Sequence, residues 1–320
     1  MRTPADYPPP KYSDPDDLRL TRLVQSADRS APRAVNILGV PFDGAVLGRR
    51  GAAEGPAAVR LAMSGFSNYC VELGLGLTGS RIFDLGDISF HDGEDVVSAH
   101  EMVEEEVAEG VREGSLLVLV GGDNSVSLPA LKAMSKRYGE VGLVVIDSHF
   151  DLRGRIGGRP TSGSSYGLAI EEAGLDPRRV AEVGIHGFLN SEAYARKAER
   201  LGVSVFTASD VREKGPRGIA REAYRVAAKG ARAVYLSVDL DAVDLAQVSG
   251  VSAPSVGGIT SNELCEIVFQ VSSGDKLVAA DIVELAPKLD PTGRSQIVAA
   301  TTLVYMAAGF KDRKGTGNTK

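Results

Sequence analysis

Cysteine is scarce in this sequence: Cys70 and Cys265 are the two among 320 residues. That number excludes a disulfide framework and the paired thiolates of a structural zinc site, and predicts two buried, reduced thiols. Positive charge is not in excess, with 36 Lys and Arg against 42 Asp and Glu and a formal charge of -6. A general nucleic-acid binder needs clustered cations for phosphate contacts, so the expected partner is a small molecule and not nucleic acid. Long apolar runs are missing too. Leu116–Val120 and Val141–Ile146 fall far short of the ~20 residues that span a bilayer. The N-terminus has no charged head followed by an apolar run, because Pro4, Pro8, Pro9, Pro10 and Pro15 interrupt it; the expectation is a cytoplasmic protein with no membrane segment.

What is present is enough apolar residue, 43% against 24% charged, to bury a large core. Residues 1–33 are polar and proline-rich and read as an N-terminal arm, followed by a single domain over 34–320. From Ala34 onward, short β-branched runs alternate with segments of helical spacing. Strands are expected over Ala34–Val40, Arg81–Ile88, Leu116–Val120, Val141–Asp147, Val180–Ile185, Val203–Phe206, Ala233–Asp239 and Lys276–Val283. Helices are expected over Pro56–Met63, Val97–Val111, Ser127–Tyr138, Ser191–Leu201, Gly218–Lys229, Asn262–Val271 and Gln296–Ala308, with Thr260 or Ser261 capping the sixth. This alternation predicts an α/β fold, a three-layer α-β-α arrangement around a mainly parallel sheet of about eight strands. Such sheets bind ligands at the C-terminal ends of their strands. Gly154–Gly167 reads as a long Gly, Ser and Arg loop of functional length.

The chemistry concentrates at three strand ends. Val144-Val145-Ile146 runs into Asp147-Ser148-His149-Phe150-Asp151, placing Asp147, His149 and Asp151 at alternate positions, where an extended backbone would send all three to one side. A second apolar strand ends with Asp239 and Asp241 in the same alternation. Acids on the interior register of apolar strands are too costly to desolvate unless a cation neutralises them. Four aspartates and one imidazole form an oxygen-rich set that suits Mn²⁺ or Mg²⁺ better than zinc, and five ligands are enough for two ions with a water held between them. The third strand end, Leu116–Val120, leads into Gly121-Gly122-Asp123-Asn124-Ser125, where glycines permit a tight turn and Asn124 would face the same edge.

At these strand ends the chain resembles the ureohydrolase superfamily of arginases, agmatinases and formimidoylglutamases. The resemblance covers about residues 34 to 312 and is carried further by Gly39-Val40-Pro41-Phe42-Asp43, Arg50-Gly51-Ala52-Ala53-Glu54-Gly55-Pro56, Arg60, and Asp281-Ile282-Val283-Glu284 followed by Pro287. It implies an arginase-like fold, two Mn²⁺ ions bridged by Asp147 and Asp239, Asp151 on the first ion, and His149 and Asp241 on the second. It also implies a homo-oligomer, trimeric or hexameric, and a cationic amidine or guanidine held by Glu284. One position departs from the pattern: Asn124 stands where most members have a histidine ligand of the first ion, and an amide oxygen is a weaker, neutral donor.

Several stretches resemble the formimidoylglutamase branch in particular: His149-Phe150-Asp151-Leu152-Arg153, Ser162-Gly163-Ser164, Gly250-Val251-Ser252-Ala253-Pro254, and Asp14-Pro15-Asp16-Asp17-Leu18-Arg19-Leu20. The loop after Asp151 agrees, because Arg153, Arg155 and Arg159 without any carboxylate would attract an anionic substrate tail. Arg153, Arg159, Ser162 and Ser164 are therefore the candidate substrate contacts beside Glu284. The implied reaction is hydrolysis of N-formimidoyl-L-glutamate to L-glutamate and formamide. No histidine lies between His149 and His186, so the candidates to carry the proton are Tyr166, His186, Asp151 or water; His91 and His100 have no partner pattern and no role is assigned to them. The alternatives are a guanidino hydrolase that releases urea, and a catalytically weakened relative that keeps the fold.

Overall fold

The computed structural model describes residues 2–3, 6–8, 14–26, 34–91 and 93–313. Among the described residues twelve strands are formed: β1 (Arg2–Thr3), β2 (Val24–Ser26), β3 (Val35–Gly39), β4 (Tyr69–Cys70), β5 (Leu75–Gly76), β6 (Ile82–Ile88), β7 (Leu116–Val120), β8 (Val141–Ile146), β9 (Val180–Ile185), β10 (Ser204–Thr207), β11 (Ala233–Asp239) and β12 (Leu277–Val283). Nine α-helices accompany them in the same described residues: α1 (Gly55–Met63), α2 (Val96–Gly110), α3 (Ser127–Tyr138), α4 (Ser165–Glu172), α5 (Glu192–Leu201), α6 (Ala208–Lys214), α7 (Pro216–Ala228), α8 (Ser261–Ser272) and α9 (Arg294–Asp312).

Ten strands make one sheet in the order β1-β6-β3-β7-β12-β11-β8-β9-β10, with β2 also on β6. The eight strands expected from sequence are its parallel body. The other two come from the first 33 residues: β1 runs antiparallel and β2 parallel to β6, on the flank away from β3. Alternate side chains of each strand enter different cores. Val118, Val144, Leu236 and Ile282 face α1, α7, α8 and α9, while Leu117, Leu143, Tyr235 and Val283 face α2, α3 and α4. These runs are continuously apolar because both faces of the sheet are covered.

Burial outweighs local signals, since each fully covered Leu, Ile or Val contributes about 1.5–3 kcal/mol and a helix cap about 1 kcal/mol. The caps still set boundaries. Thr260 caps α8 reciprocally with Glu263, Asp95 caps α2, and Pro56 occupies the first turn of α1. Two helices depart from the sequence expectation. The second half of the expected Gly154–Gly167 loop is ordered as a short turn and α4, whose start is a Thr161–Ser164 capping box inside a Ser/Gly run too small-sided to show helical spacing. α6 is seven residues long, with Ala208 and Val211 buried, too short to register a period. Cys265 is buried, but Cys70, expected to be buried too, lies partly exposed on the β4–β5 hairpin; both are free thiols. Among the described residues no helix is long and apolar enough to cross a membrane.

Candidate metal centre

The adjacency β7-β12-β11-β8 gathers the four strand ends that carry the acidic motifs into one patch on the C-terminal edge. The local geometry differs from simple strand alternation. β8 stops at Ile146, and Asp147 Oδ1 accepts the N–H of His149 at 2.6 Å; β11 stops at Asp239, whose Oδ1 accepts the N–H of Asp241 at 2.8 Å. Each first aspartate thus folds the chain back over itself in a turn closed two residues on, which brings the next ligand to its side. Asn190 clamps the first turn from outside, accepting from the Phe150 N–H at 3.0 Å and donating to the Ser148 carbonyl at 2.8 Å. Among the described residues, two that are not glycine have positive φ, Asp151 at 45° and Glu284 at 67°, and both are candidate site residues. Backbone strain of this kind persists where the surroundings over-determine it.

Asp147, His149 and Asp241 each offer a ligand atom within 4.8 Å of the others. His149 Nδ1 lies 3.1 Å from Asp241 Oδ2 and 3.5 Å from Asp147 Oδ1, and Ser148 Oγ donates to Asp241 Oδ1 at 2.7 Å. Asp151 is approached from the opposite side by Asn124, whose Nδ2 stands 2.5 Å from Asp151 Oδ2. Glu284 Oε1 accepts the Asn124 N–H at 2.7 Å, tying the end of β12 to the turn after β7. That turn needs glycine at Gly122, where a Cβ would sit 1.5 Å from the Phe42 carbonyl oxygen.

The electrostatics of this patch are unbalanced. Burial, and then the neighbouring acids, push Asp147 and Asp239 well above the usual carboxylate range; burial likewise raises Asp151 to about 6 and Glu284 to about 8. Burial works against the His149 imidazolium, but its bonds to Asp147 and Asp241 overcome it and lift the group to about 12, while Asp241, despite its own burial, is lowered by His149. One imidazolium cannot neutralise four aspartates and a glutamate. Asp147 Oδ2 and Glu284 Oε2 are buried with no hydrogen-bond partner. Orphaned anionic oxygens on a set of hard donors fit divalent cations, so the residues present suit Mn²⁺.

A cavity of about 120 Å³ opens onto these groups, lined by Leu47, Gly48, His149, Asp151, Arg153, Ser162, Gly163, Asp239, Asp241, Ser252, Ala253 and Glu284. A larger one, about 360 Å³ between the β4–β5 hairpin and α9, holds none of the acidic strand ends. Arg153 stands at the rim, its guanidinium carbon 5.2 Å from the centre of the Tyr194 ring. Ser162 is in the wall, its Oγ accepting from the Leu47 N–H at 3.1 Å.

Four expected contacts are not in that cavity. Tyr166 is fully buried, with its hydroxyl 3.1 Å from Asn124 Oδ1 and 3.0 Å from Ser237 Oγ, so it supports Asn124 from below and does not face a substrate. His186 spends both ring nitrogens on the Gly184 carbonyl and Ser255 Oγ, each at 2.7 Å. Ser164 closes a turn, its Oγ accepting from the Thr161 N–H at 2.8 Å. Arg159 pairs by its backbone with Ile156 in an exposed bridge, and its charge acts on Asp95 at the start of α2. The loop is also less cationic than its sequence suggests, because Arg155 is paired with Glu172 of α4 at 2.7 Å.

Sequence reasoning missed the groups that hold the site. Asp123 accepts from the Ala45 N–H at 2.8 Å and the Ser125 N–H at 2.9 Å, pinning the 43–51 loop over the centre. Asp281 lies under it and receives Ser127, Ser237 and Tyr235 hydroxyls and the Val238 N–H. Asp281 stands in the Asp281–Glu284 motif already noted, but its partners are 43 to 154 positions away in sequence.

An Arginase family model matches residues 33–309, and this chain belongs to that family. It is 37% identical to a formimidoylglutamase of Halobacterium salinarum over 307 residues, covering 94% of this chain and 96% of the relative. Among solved structures, the formimidoylglutamase of Bacillus subtilis superposes with a TM-score of 0.88 at 28% identity, covering 94% of each chain. A Trypanosoma cruzi formiminoglutamase solved with Mn²⁺ superposes with a TM-score of 0.85 at 27% identity, covering 93% of this chain and all of the other. Guanidino hydrolases are related as well. The parallel sheet between two helical layers is thus the arginase fold, and the chain is a hydrolase of that class.

Proposed function

We propose that this chain hydrolyses N-formimidoyl-L-glutamate, with water, to L-glutamate and formamide in a Mn²⁺-dependent reaction. The observation that carries the reading is the polarity of one pocket. Its floor bears Asp151, Asp239, Asp241 and Glu284, and at its rim Arg153 forms no ion pair among the described residues. A substrate with a cationic amidine at one end and carboxylates at the other matches both ends; agmatine, with a free ammonium at its far end, matches one.

In this reading Asp147, Asp239, Asn124 and Asp151 would hold one ion, and Asp147 and Asp239 with His149 and Asp241 would hold the other. When bound, the ions supply the charge that neutralises the aspartates and acidifies water at the site. The remaining work falls to side chains. Glu284 uses its free Oε2 to accept an amidinium N–H, Arg153 holds a substrate carboxylate in a charge-assisted bond, and the Leu47 and Ser252 walls keep the reacting carbon over the floor. Asp151, which reaches the same cavity, passes a proton to the departing amine. Residues 34–320 act as one catalytic domain, within a cytoplasmic homo-oligomer whose trimeric or hexameric size light scattering reads directly.

The test is a Mn²⁺-supplemented assay on N-formimidoyl-L-glutamate, agmatine, arginine and guanidinobutyrate in parallel, with Asp239→Ala as control. Formamide and glutamate from the first compound, lost in the variant, are the expected result. Urea from any other compound moves the chain to the guanidino hydrolases, and silence on all four makes it a weakened relative.

A further inference from the structure

We propose that Asp281 is a positioning residue that, through Ser127, Ser237 and Tyr166, turns the amide oxygen of Asn124 toward the first metal site. The inference rests on the two-ion reading above and adds what makes asparagine serviceable there.

The hydrogens available in this cluster fix the amide's orientation. Asp281 is fully buried and receives Ser127 Oγ at 2.6 Å, Ser237 Oγ at 2.6 Å and Tyr235 Oη at 2.8 Å, besides the Val238 N–H at 3.2 Å. Four donors converge on it, so it acts as an acceptor, and it draws the single hydrogen of each of those three hydroxyls because a carboxylate is the strongest acceptor in the cluster. Ser127 then has no hydrogen left for Asn124, 3.0 Å away, and Ser237 has none for Tyr166 at 3.0 Å. The Tyr166 hydrogen fills the Ser237 contact. Two hydroxyl oxygens, Ser127 Oγ and Tyr166 Oη, remain beside the inner atom of the Asn124 amide at 3.0 and 3.1 Å, both in need of a donor. The Ser127–Ser237 approach, at 3.3 Å the longest in the cluster, needs no hydrogen in this scheme.

An amide has two N–H hydrogens, which is the number required. With the amide nitrogen toward Asp151, the Ser127 contact sets oxygen against oxygen with no hydrogen between. Rotating the amide by half a turn fills every short contact below it and leaves Oδ1 opposite Asp151 Oδ2. Two oxygens in that position need a cation between them, and both are first-site ligands in the proposed set. The buried hydroxyls thereby select the oxygen-outward amide when the ion is present, while the nitrogen-outward amide, bonded to Asp151, serves when it is absent.

The experiment measures Mn²⁺ stoichiometry and affinity on the full chain by the electron paramagnetic resonance of free Mn²⁺. It compares wild type, Asp281→Asn and the double variant Ser127→Ala with Tyr166→Phe. Asp281→Asn adds donors under the hydroxyls and releases their hydrogens toward Asn124, so the amide oxygen stays inward. The expected result is first-ion affinity lowered about 10- to 100-fold in both variants, with the second ion, on Asp147, His149 and Asp241, changed less than about twofold. Retained second-ion binding also reports that the variant is folded, and if Asp281→Asn does not fold the double variant decides. Unchanged first-ion affinity, equal loss of both ions, or a wild type that takes up a single ion overturns the proposal. A wild type that takes up no Mn²⁺ overturns the metal reading as well.

Discussion

Two groups of buried charge sit on the same sheet, and they are built on opposite plans. Near β6, Arg60 of α1 offers Nε and Nη2 to the two carboxylate oxygens of Asp84 at 2.9 and 3.0 Å and Nη1 to Asp87 at 2.6 Å, and Tyr7 donates to Asp84 at 2.6 Å. The cation is part of the chain, and both Asp84 oxygens are bonded. At the ends of β8, β11 and β12, four buried carboxylates and the half-buried Asp151 have one imidazole among them, and two of their oxygens have no partner. The first group is closed and belongs to the architecture, joining the N-terminal segment to the sheet edge. The second is open and is complete only with positive charge from outside the chain. Buried acidity therefore marks a site where the chain withholds its own counter-charge.

The contrast is broken most decisively at Asp239. Asp239→Ala is expected to reduce Mn²⁺-supported hydrolysis about a thousandfold or more, since in the proposed set it is the acid that both ions would use. The metal-free variant should melt no lower than metal-free wild type, because one of several repelling acids is gone; calorimetry in EDTA reads this. Arg60→Met has the reverse profile. It leaves Asp84 buried without a cation, so a loss of about 3–5 kcal/mol relative to wild type is expected in urea unfolding, the same with Mn²⁺ as without it.

A third buried group sharpens the comparison by being neutral. His100 bonds Ser125 at 3.0 Å next to the site, and burial, helped by Lys132 and Arg155, lowers its pKa from 6.5 to about 4. Above pH 6.5 both folded and unfolded forms are neutral and the stability is complete. As pH falls from 6.5 toward 4 the unfolded chain takes up a proton that the folded one refuses, so stability drops by a total of about 3 kcal/mol. His100→Gln should flatten that part of the stability–pH profile. The smallest effect is the ion's own: at a hundred times its Kd, Mn²⁺ should add about 2.7 kcal/mol to wild type, read as a rise in Tm that EDTA reverses, and the same addition should appear in Arg60→Met.

Much of the open cluster was legible in sequence because most of its acids lie in two short runs, Asp147 to Asp151 and Asp239 to Asp241, each closing a strand whose apolar content announces its burial. The eight central strands were legible for the same reason. What sequence misjudged were orientations. Tyr166 and Ser164 look available in a polar loop, yet one is sealed beneath Asn124 and the other closes a turn. Arg155 and Arg159 look like a cationic funnel, but Glu172, seventeen residues after Arg155 and in a helix whose Ser/Gly start hides its period, takes the first, and the loop carries the second away. Of the three arginines, Arg153 alone lines the pocket.

By itself the sequence determined the alternation of strands and helices, the acids at the strand ends and the chemical class of ion they suit, because periodicity, chain direction and ligand hardness are local properties. Tertiary structure alone decided which strand ends meet, through the order β7-β12-β11-β8, and which groups would steer the ligands. Asp281 reaches Ser127 across 154 positions, and Glu284 reaches Asn124 across 160. A hydrogen bond depends on where two atoms end up and not on how far apart they lie in the chain, so the groups that orient this site become visible only when the sheet has placed them side by side.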